Sequence, residues 1–97
     1  MYTVIFRAKI NELDNSYFNV AQRIKELAIS KYGCKEFTSL VEGKNEIAIS
    51  YWDTEDQIKE WKNDTEHLAA QEMGKSKWYK SYSVQIVKVT RQYEGSS

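Results

Sequence analysis

Two hydrophobic periods take turns along the chain. Residues 2–9 carry Val4, Ile5 and Phe6 in succession, then Arg7 and Lys9 around Ala8, a run suited to a strand with a well-buried face. Beyond the polar stretch from Asn11 to Asn15, apolar residues recur at Tyr17, Val20, Ala21, Ile24, Leu27 and Ala28, the three-and-four spacing of one helix face. Asp14 is placed to cap this helix, and Gly33 to end it in a left-handed conformation just past Lys31. Residues 36–41 and 46–52 read as two strands joined through Glu42, Gly43, Lys44 and Asn45, where glycine and asparagine accept the positive φ of a tight reversal. Thr54 and Gln57 then form a capping box, and Ile58, Trp61, Thr65, Leu68 and Ala69 predict the buried stripe of a second helix. Asn63, Asp64 and Thr65 prefer caps to helix interiors, so a kink or a split into two pieces is expected there. Gly74 is the expected terminator, and residues 81–93 alternate as a long last strand through Val84, Ile86, Val87, Val89 and Arg91. Residues 94–97 read as a flexible polar tail.

The order strand, helix, strand, strand, helix, strand over residues 1–97 predicts a single α+β domain of the ferredoxin-like βαββαβ kind, a four-stranded antiparallel sheet with two helices on one face. In a monomer the other face of such a sheet should be polar. Here Ile5 opposes Val4 and Phe6, Ala48 opposes Ile47 and Ile49, and Val87 and Val89 oppose Val84 and Ile86. The second face is therefore expected to be covered, most simply by another copy of the chain in an isologous homodimer.

Composition narrows the chemistry. Fourteen basic side chains balance fourteen acidic ones in 97 residues, without the basic excess that a phosphate backbone calls for, so nucleic acid is not the expected partner. No apolar run approaches the ~20 residues of a membrane helix, and the first residues lack a basic segment ahead of an apolar one; the expectation is a cytoplasmic protein with no membrane association. Cys34 is the single cysteine and reads as a packing residue. There is no glycine-rich phosphate loop, nucleophile elbow, paired-cysteine site or two-histidine metal helix, so no nucleotide, nicotinamide, flavin or metal is expected. The unusual figure is an aromatic content of 13%, with seven tyrosines and three tryptophans suited to pocket walls or interfaces.

Residues 47–56 (Ile-Ala-Ile-Ser-Tyr-Trp-Asp-Thr-Glu-Asp), followed by Ile58 and Trp61, then by Glu66, His67, Leu68, Ala69, Ala70 and Gln71, and by Gly74, Trp78 and Tyr79, resemble the antibiotic biosynthesis monooxygenase family. The last strand, with Val87, Val89 and Arg91, is similar as well. The resemblance spans essentially the whole chain. It implies a dimeric α/β barrel, two ferredoxin-like subunits packed sheet against sheet, each with a cavity between its sheet and its helices. It also implies one of two chemistries: oxidation of aromatic polyketides by molecular oxygen without a bound cofactor, or binding and breakdown of haem. In the haem-degrading branch an asparagine on the first strand and a tryptophan in the second helix accompany a histidine iron ligand. Trp61 matches the tryptophan, but Arg7 or a neighbour holds the first-strand position and the ligand position falls near Gln71.

His67, the only histidine, is the candidate general base. If a helix restarts at Asp64 or Thr65, His67 falls in its first turn, where the positive end of the dipole keeps the imidazole neutral, and Gln71 lies one turn further on the same face as a pocket residue able to orient it or a ligand. The alternative is an exposed or structural helix residue. Trp61, Tyr51 and Trp78 are the candidate pocket walls, with core packing as the other reading of Trp61 and an interface as the other reading of Trp78, Tyr79 and Tyr82. Tyr51 and Trp52 must leave their strand on opposite faces, one toward the helices and one toward the partner. The functional expectation is a small cofactor-independent monooxygenase acting on an aromatic or quinone-like molecule with oxygen. A haem-binding protein and a non-enzymatic dimeric small-molecule binding module are the alternatives.

Overall fold

In the computed structural model, which describes residues 1–96, strand β1 (Tyr2–Ile10) leads into helix α1 (Asn15–Ser30) and the hairpin of β2 (Glu36–Glu42) and β3 (Asn45–Trp52). Helices α2 (Glu55–Lys62) and α3 (Thr65–Met73), a π-helical turn at Gly74–Trp78 and strand β4 (Tyr79–Lys88) complete the chain's regular structure. The strands lie in the order β2-β3-β1-β4, all neighbours antiparallel, and this is the ferredoxin-like α+β fold with the second helical region in two pieces. The local signals act as the sequence predicts. The Asp14 carboxylate accepts from the backbone N–H groups of Ser16 and Tyr17 at 3.1 and 3.2 Å, and Thr54 and Gln57 exchange the two hydrogen bonds of a capping box. Gly33 and Gly43 hold φ of 83° and 60°, ending α1 and turning the hairpin.

Register sorts the sheet into two faces. Val4, Phe6 and Ala8 pair with Ser50, Ala48 and Glu46 on one side and with Ile86, Val84 and Tyr82 on the other, and so share one face with Trp52 and Phe37. The helices pack on this face, where Val4, Ile24, Leu27, Ala28, Cys34, Trp52, Ile58 and Trp61 make the core. Thr3, Ile5, Ile47, Ile49, Tyr51, Leu40 and Val87 share the opposite face with Arg7 and Thr38, and no helix among the described residues packs on it. Thr3 is nonetheless buried between its strand neighbours, and its hydroxyl has no hydrogen-bond partner among the described residues.

Three expectations change. The last strand starts at Tyr79 and stops at Lys88, because β1 ends at Tyr2, opposite Lys88, and a single further bond from Val89 N–H to the Met1 carbonyl closes the ladder. The alternation of Val89 and Arg91 continues where no strand is left to pair with it. Leu68 and Ala69 are exposed instead of buried, since α3 restarts in a new phase after Asn63 and Asp64. Gly74 is right-handed at φ −60° and continues into the π turn; its small size matters because a Cβ there would stand 3.0 Å from the Tyr79 ring. Of the expected tail, Glu94, Gly95 and Ser96 lie outside any element, and Ser97 falls outside the described residues.

Ile58 is wholly shielded from solvent at the centre of the core. Ile58→Ala is expected to lose about 2–5 kcal/mol of stability and Ile58→Val about 1 kcal/mol, a difference read directly from urea denaturation midpoints.

Candidate functional site

The core fills the half of the sandwich around Trp52 and leaves the other half open. There the helix-side face of the sheet carries Ser39 and Ala48, side chains too short to reach the helices, and a cavity of about 640 Å³ remains between the two layers. Phe6, Tyr17, Phe37, Trp61, Trp78 and Tyr79 line it, giving it largely aromatic walls.

How α2 ends decides which side chains enter this space. Asn63 closes the helix at φ −92°, ψ 0°, and Asp64 turns out of it at φ −59°, ψ 138° to cap α3, its carboxylate accepting from Glu66 N–H at 2.9 Å. The Tyr32 hydroxyl, from the end of α1, donates to the second oxygen of the same carboxylate at 2.6 Å and ties the cap to the core. The new phase sends His67, Ala70, Gln71 and Gly74 into the cavity wall at helical spacing. An unbroken helix would have buried Leu68.

His67 lies half-buried with its ring centroid 4.2 Å from that of Trp61. Its Nδ1 is 3.1 Å from the Trp61 carbonyl oxygen. A carbonyl only accepts, so Nδ1 carries the hydrogen and the lone pair of the neutral ring is on Nε2, which has no protein partner among the described residues. Burial holds the His67 pKa below its ordinary value of 6.5, the Lys62 charge adds to this, and the Trp61 carbonyl and Asp64 oppose it. The neutral state expected from the helix dipole thus has desolvation as its larger cause. Gln71 does not bond His67; its amide donates to the Lys62 carbonyl at 3.1 Å. Two α3 side chains in this way reach carbonyls at the end of α2, that of Lys62 and that of Trp61, which also accepts from Asp64 N–H.

Trp61 belongs to core and cavity alike. Its indole N–H donates to the Ile24 carbonyl at 3.1 Å, and its ring lies 5.1 Å from Trp52 and 6.0 Å from Phe37, while it also faces the cavity. Trp78 is buried in the wall edge-on to Tyr17 at 5.2 Å, and its indole N–H is sealed without an acceptor. Tyr51 requires a correction. It follows Ser50 on β3 and so points to the open face, away from the cavity, while Trp52 turns inward to the core. Trp78, Tyr79 and Tyr82 all line the cavity, and Tyr82 also borders a surface groove with Arg7, Leu40 and Ile47.

Sequence reasoning missed Glu46 and its pairing with Tyr79. Glu46 is 6% exposed, and the Tyr79 hydroxyl donates to its Oε2 at 2.7 Å. Burial pushes the Glu46 carboxyl up from its ordinary pKa, the tyrosine bond partly restrains it, and burial with the adjacent carboxylate pushes Tyr79 up in turn. The signal was present in β3, where Glu46 shares the two-residue period of Ala48, Ser50 and the inward Trp52. At the Gln71 position of the haem-degrading pattern the amide is committed to Lys62 and its remaining oxygen is a poor ligand for iron; Arg7 lies on the opposite face of the sheet. These residues do not fit a haem site of that pattern.

The two buried titratable groups give opposite pH signatures. The pKa of His67 is lower folded than unfolded, so its contribution is intact above about 6.5 and is lost as pH falls below that value. Glu46 has a raised folded pKa, so its contribution is present below its ordinary 4.5 and is lost as pH rises. Glu46→Gln keeps an acceptor for Tyr79 and removes the buried charge. It is therefore expected to raise the melting temperature near neutral pH, with the gain shrinking toward pH 4.5, in thermal scans at the two pH values.

No family model matches the sequence. The chain is 42% identical over 92 residues to the uncharacterized protein YqjZ of Bacillus subtilis, covering 94% of this chain and 81% of YqjZ. Among solved structures, SnoaB from Streptomyces nogalater, described as a cofactor-independent oxygenase, superposes with a TM-score of 0.77 at 13% identity over 94% of each chain. A structure described as an antibiotic biosynthesis monooxygenase superposes with a TM-score of 0.69 at 12% identity, over 94% of this chain and 100% of that one. No helix is long and apolar enough to cross a membrane among the described residues. The chain belongs to the same family as YqjZ and has the fold of the antibiotic biosynthesis monooxygenases.

Proposed function

We propose that this protein is a cofactor-independent monooxygenase that oxidises a planar phenol or hydroquinone with molecular oxygen in the cavity between its sheet and its helices, acting as a cytoplasmic homodimer. The observation that carries this reading is a neutral His67 with Nδ1 anchored and Nε2 unengaged in an aromatic-walled cavity. The shared fold with SnoaB supports the reaction class. His67 Nε2 takes the phenolic proton, and the electron-rich anion passes an electron to oxygen. The two radicals join in a new carbon–oxygen bond, and the hydroperoxide breaks down as the ring C–H bond is lost. One oxygen atom stays as a carbonyl and the other leaves as water with the two substrate hydrogens, so no external reductant is needed. Trp61 and Trp78 hold the ring in a water-poor site, and Gln71 keeps the His67 helix docked on α2. The uncovered face with Ile5, Ile47, Ile49 and Tyr51 supports pairing with a second copy through the sheet.

Oxygen uptake with a panel of naphthols, anthrones and hydroquinones tests the activity. Uptake that falls by about 10²–10⁴-fold in His67→Ala is expected; uptake unchanged by the substitution removes His67 as the base, and saturable binding with no uptake makes the protein a binding module. Sedimentation is expected to give a dimer that Ile49→Lys converts to monomer, whereas a monomeric wild-type protein overturns the pairing.

A further inference from the structure

We propose that Glu46 and Tyr79 form an acceptor-only pole of the cavity that recognises a hydroxyl of an aromatic ligand. The inference rests on the reading of this cavity as the substrate site and extends it to the ligand group recognised there.

Three local irregularities converge on the pair. The register of β1 with β4 shifts between Lys9 and Ile10, pairing Ser81 with Lys9 but Tyr79 with Ile10, so that Lys80 is the extra residue of a bulge. Without the bulge the two-residue period would put Tyr79 on the same face as Ser81, the open face; with it, Tyr79 turns into the cavity. The π-helical turn delivers the chain to this point, its terminal N–H bond running from Tyr79 to Gly74. Gly74 leaves the room the Tyr79 ring occupies, since a Cβ there would meet it at 3.0 Å. Bulges and π turns interrupt regular hydrogen bonding and recur where a side chain is re-aimed for function.

The chemistry of the pair then defines what it accepts. Tyr79 spends its only O–H on Glu46 Oε2. Glu46 Oε1 has no hydrogen bond, and no cation pairs with the carboxylate, among the described residues. A buried carboxylate with one donor out of the several it can accommodate leaves acceptor capacity unused. The pole thus offers lone pairs and no donor, which favours a ligand O–H over a ligand carbonyl, ether or carboxylate. At the other end, His67 Nε2 is also an acceptor. His67 packs on Trp61, Trp61 packs on Phe37, and Phe37 pairs with Ser50, four residues along β3 from Glu46. Ser50 and Glu46 are thus roughly 13 Å apart along the strand, which sets the Phe37 and Trp61 side of the cavity and the Glu46 pole toward opposite ends of β3.

The test is anaerobic equilibrium binding, read from quenching of tryptophan fluorescence, of a naphthalenediol with hydroxyls on opposite rings and of its monomethyl ether. The wild-type protein is expected to bind the diol about tenfold or more tightly than the ether, the effect of one hydrogen bond to a charged acceptor. Glu46→Gln retains an acceptor for Tyr79 but presents an amide N–H to the ligand, and is expected to abolish or reverse the preference. Glu46→Leu is expected to abolish it without reversal, and a single cooperative thermal transition at or above the wild-type temperature confirms an intact fold in either variant. His67→Ala is expected to weaken both ligands while Glu46→Gln still changes their ratio. Equal affinities in the wild-type protein, a preference that survives Glu46→Gln, or no saturable quenching by either compound overturns the proposal. Because oxygen is absent, a diol preference without later oxygen uptake leaves the pole standing and overturns only the oxygenase reading.

Discussion

A helix keeps its phase, and nearly everything at the cavity follows from one place where this chain gives that phase up. Had residues from Thr54 to Met73 run as one helix, the stripe through Ile58 and Trp61 would have continued to Leu68, and an aliphatic side chain would have been driven toward the aromatic core. Asn63 and Asp64 end one helix and begin another, and Tyr32 anchors the junction through the Asp64 carboxylate. Rotation of α3 then presents imidazole, amide, alanine and glycine to the interior. His67 and Gln71 use the opportunity to satisfy carbonyls at the end of α2, so the break is stitched by the same side chains it brings inward. A polar junction between two short helices here takes the place of apolar packing.

The sheet contributes the complementary condition, which is space. Trp52, Ile58 and Trp61 fill one half of the interior, whereas Ser39 and Ala48 leave the other half unfilled. Aromatic residues are set around the cavity, with Tyr17 holding Trp78 edge-on and Phe6 lying 5.4 Å from Tyr79. This part of the wall is therefore stiff rings braced by other rings, and aliphatic chains such as Ile24 and Leu40 complete it.

Much of this was legible in the residues, and the limits are physical. Capping boxes, glycine turns and a two-residue alternation act within a few positions, so α1, the hairpin and the start of α2 could be read directly. The helix break was legible too, from Asn63 and Asp64, but the rotation it imposes depends on backbone angles at two residues that composition does not specify; hence Leu68 and Ala69 were expected inside. The length of β4 was misread because alternation reports a side chain's preference, while a strand also needs a neighbour, and β1 ends at Tyr2. Alternation puts Tyr51 and Trp52 on opposite faces of β3 but does not say which of the two turns inward; that is decided by where the helices pack. Glu46 shares the parity of Trp52 and is buried with it, although its charge alone points to solvent. Tyr79 was harder to foresee, since its direction is set by a bulge that leaves no mark in the alternation.

The hydrogen bond from His67 Nδ1 to the Trp61 carbonyl has a consequence for the energetics of proton transfer. Because that bond survives in both protonation states, the ring can gain and lose a proton at Nε2 without rotating or exchanging partners. The acceptor is also a terminal carbonyl of α2, in the negative half of that helix's dipole, and it becomes a better partner when the ring turns cationic. The first turn of α3 pulls the other way, favouring the neutral ring. Held between a helix end of each sign, the imidazole can gain and lose its proton with its partners already in place, while burial holds its pKa below the ordinary value.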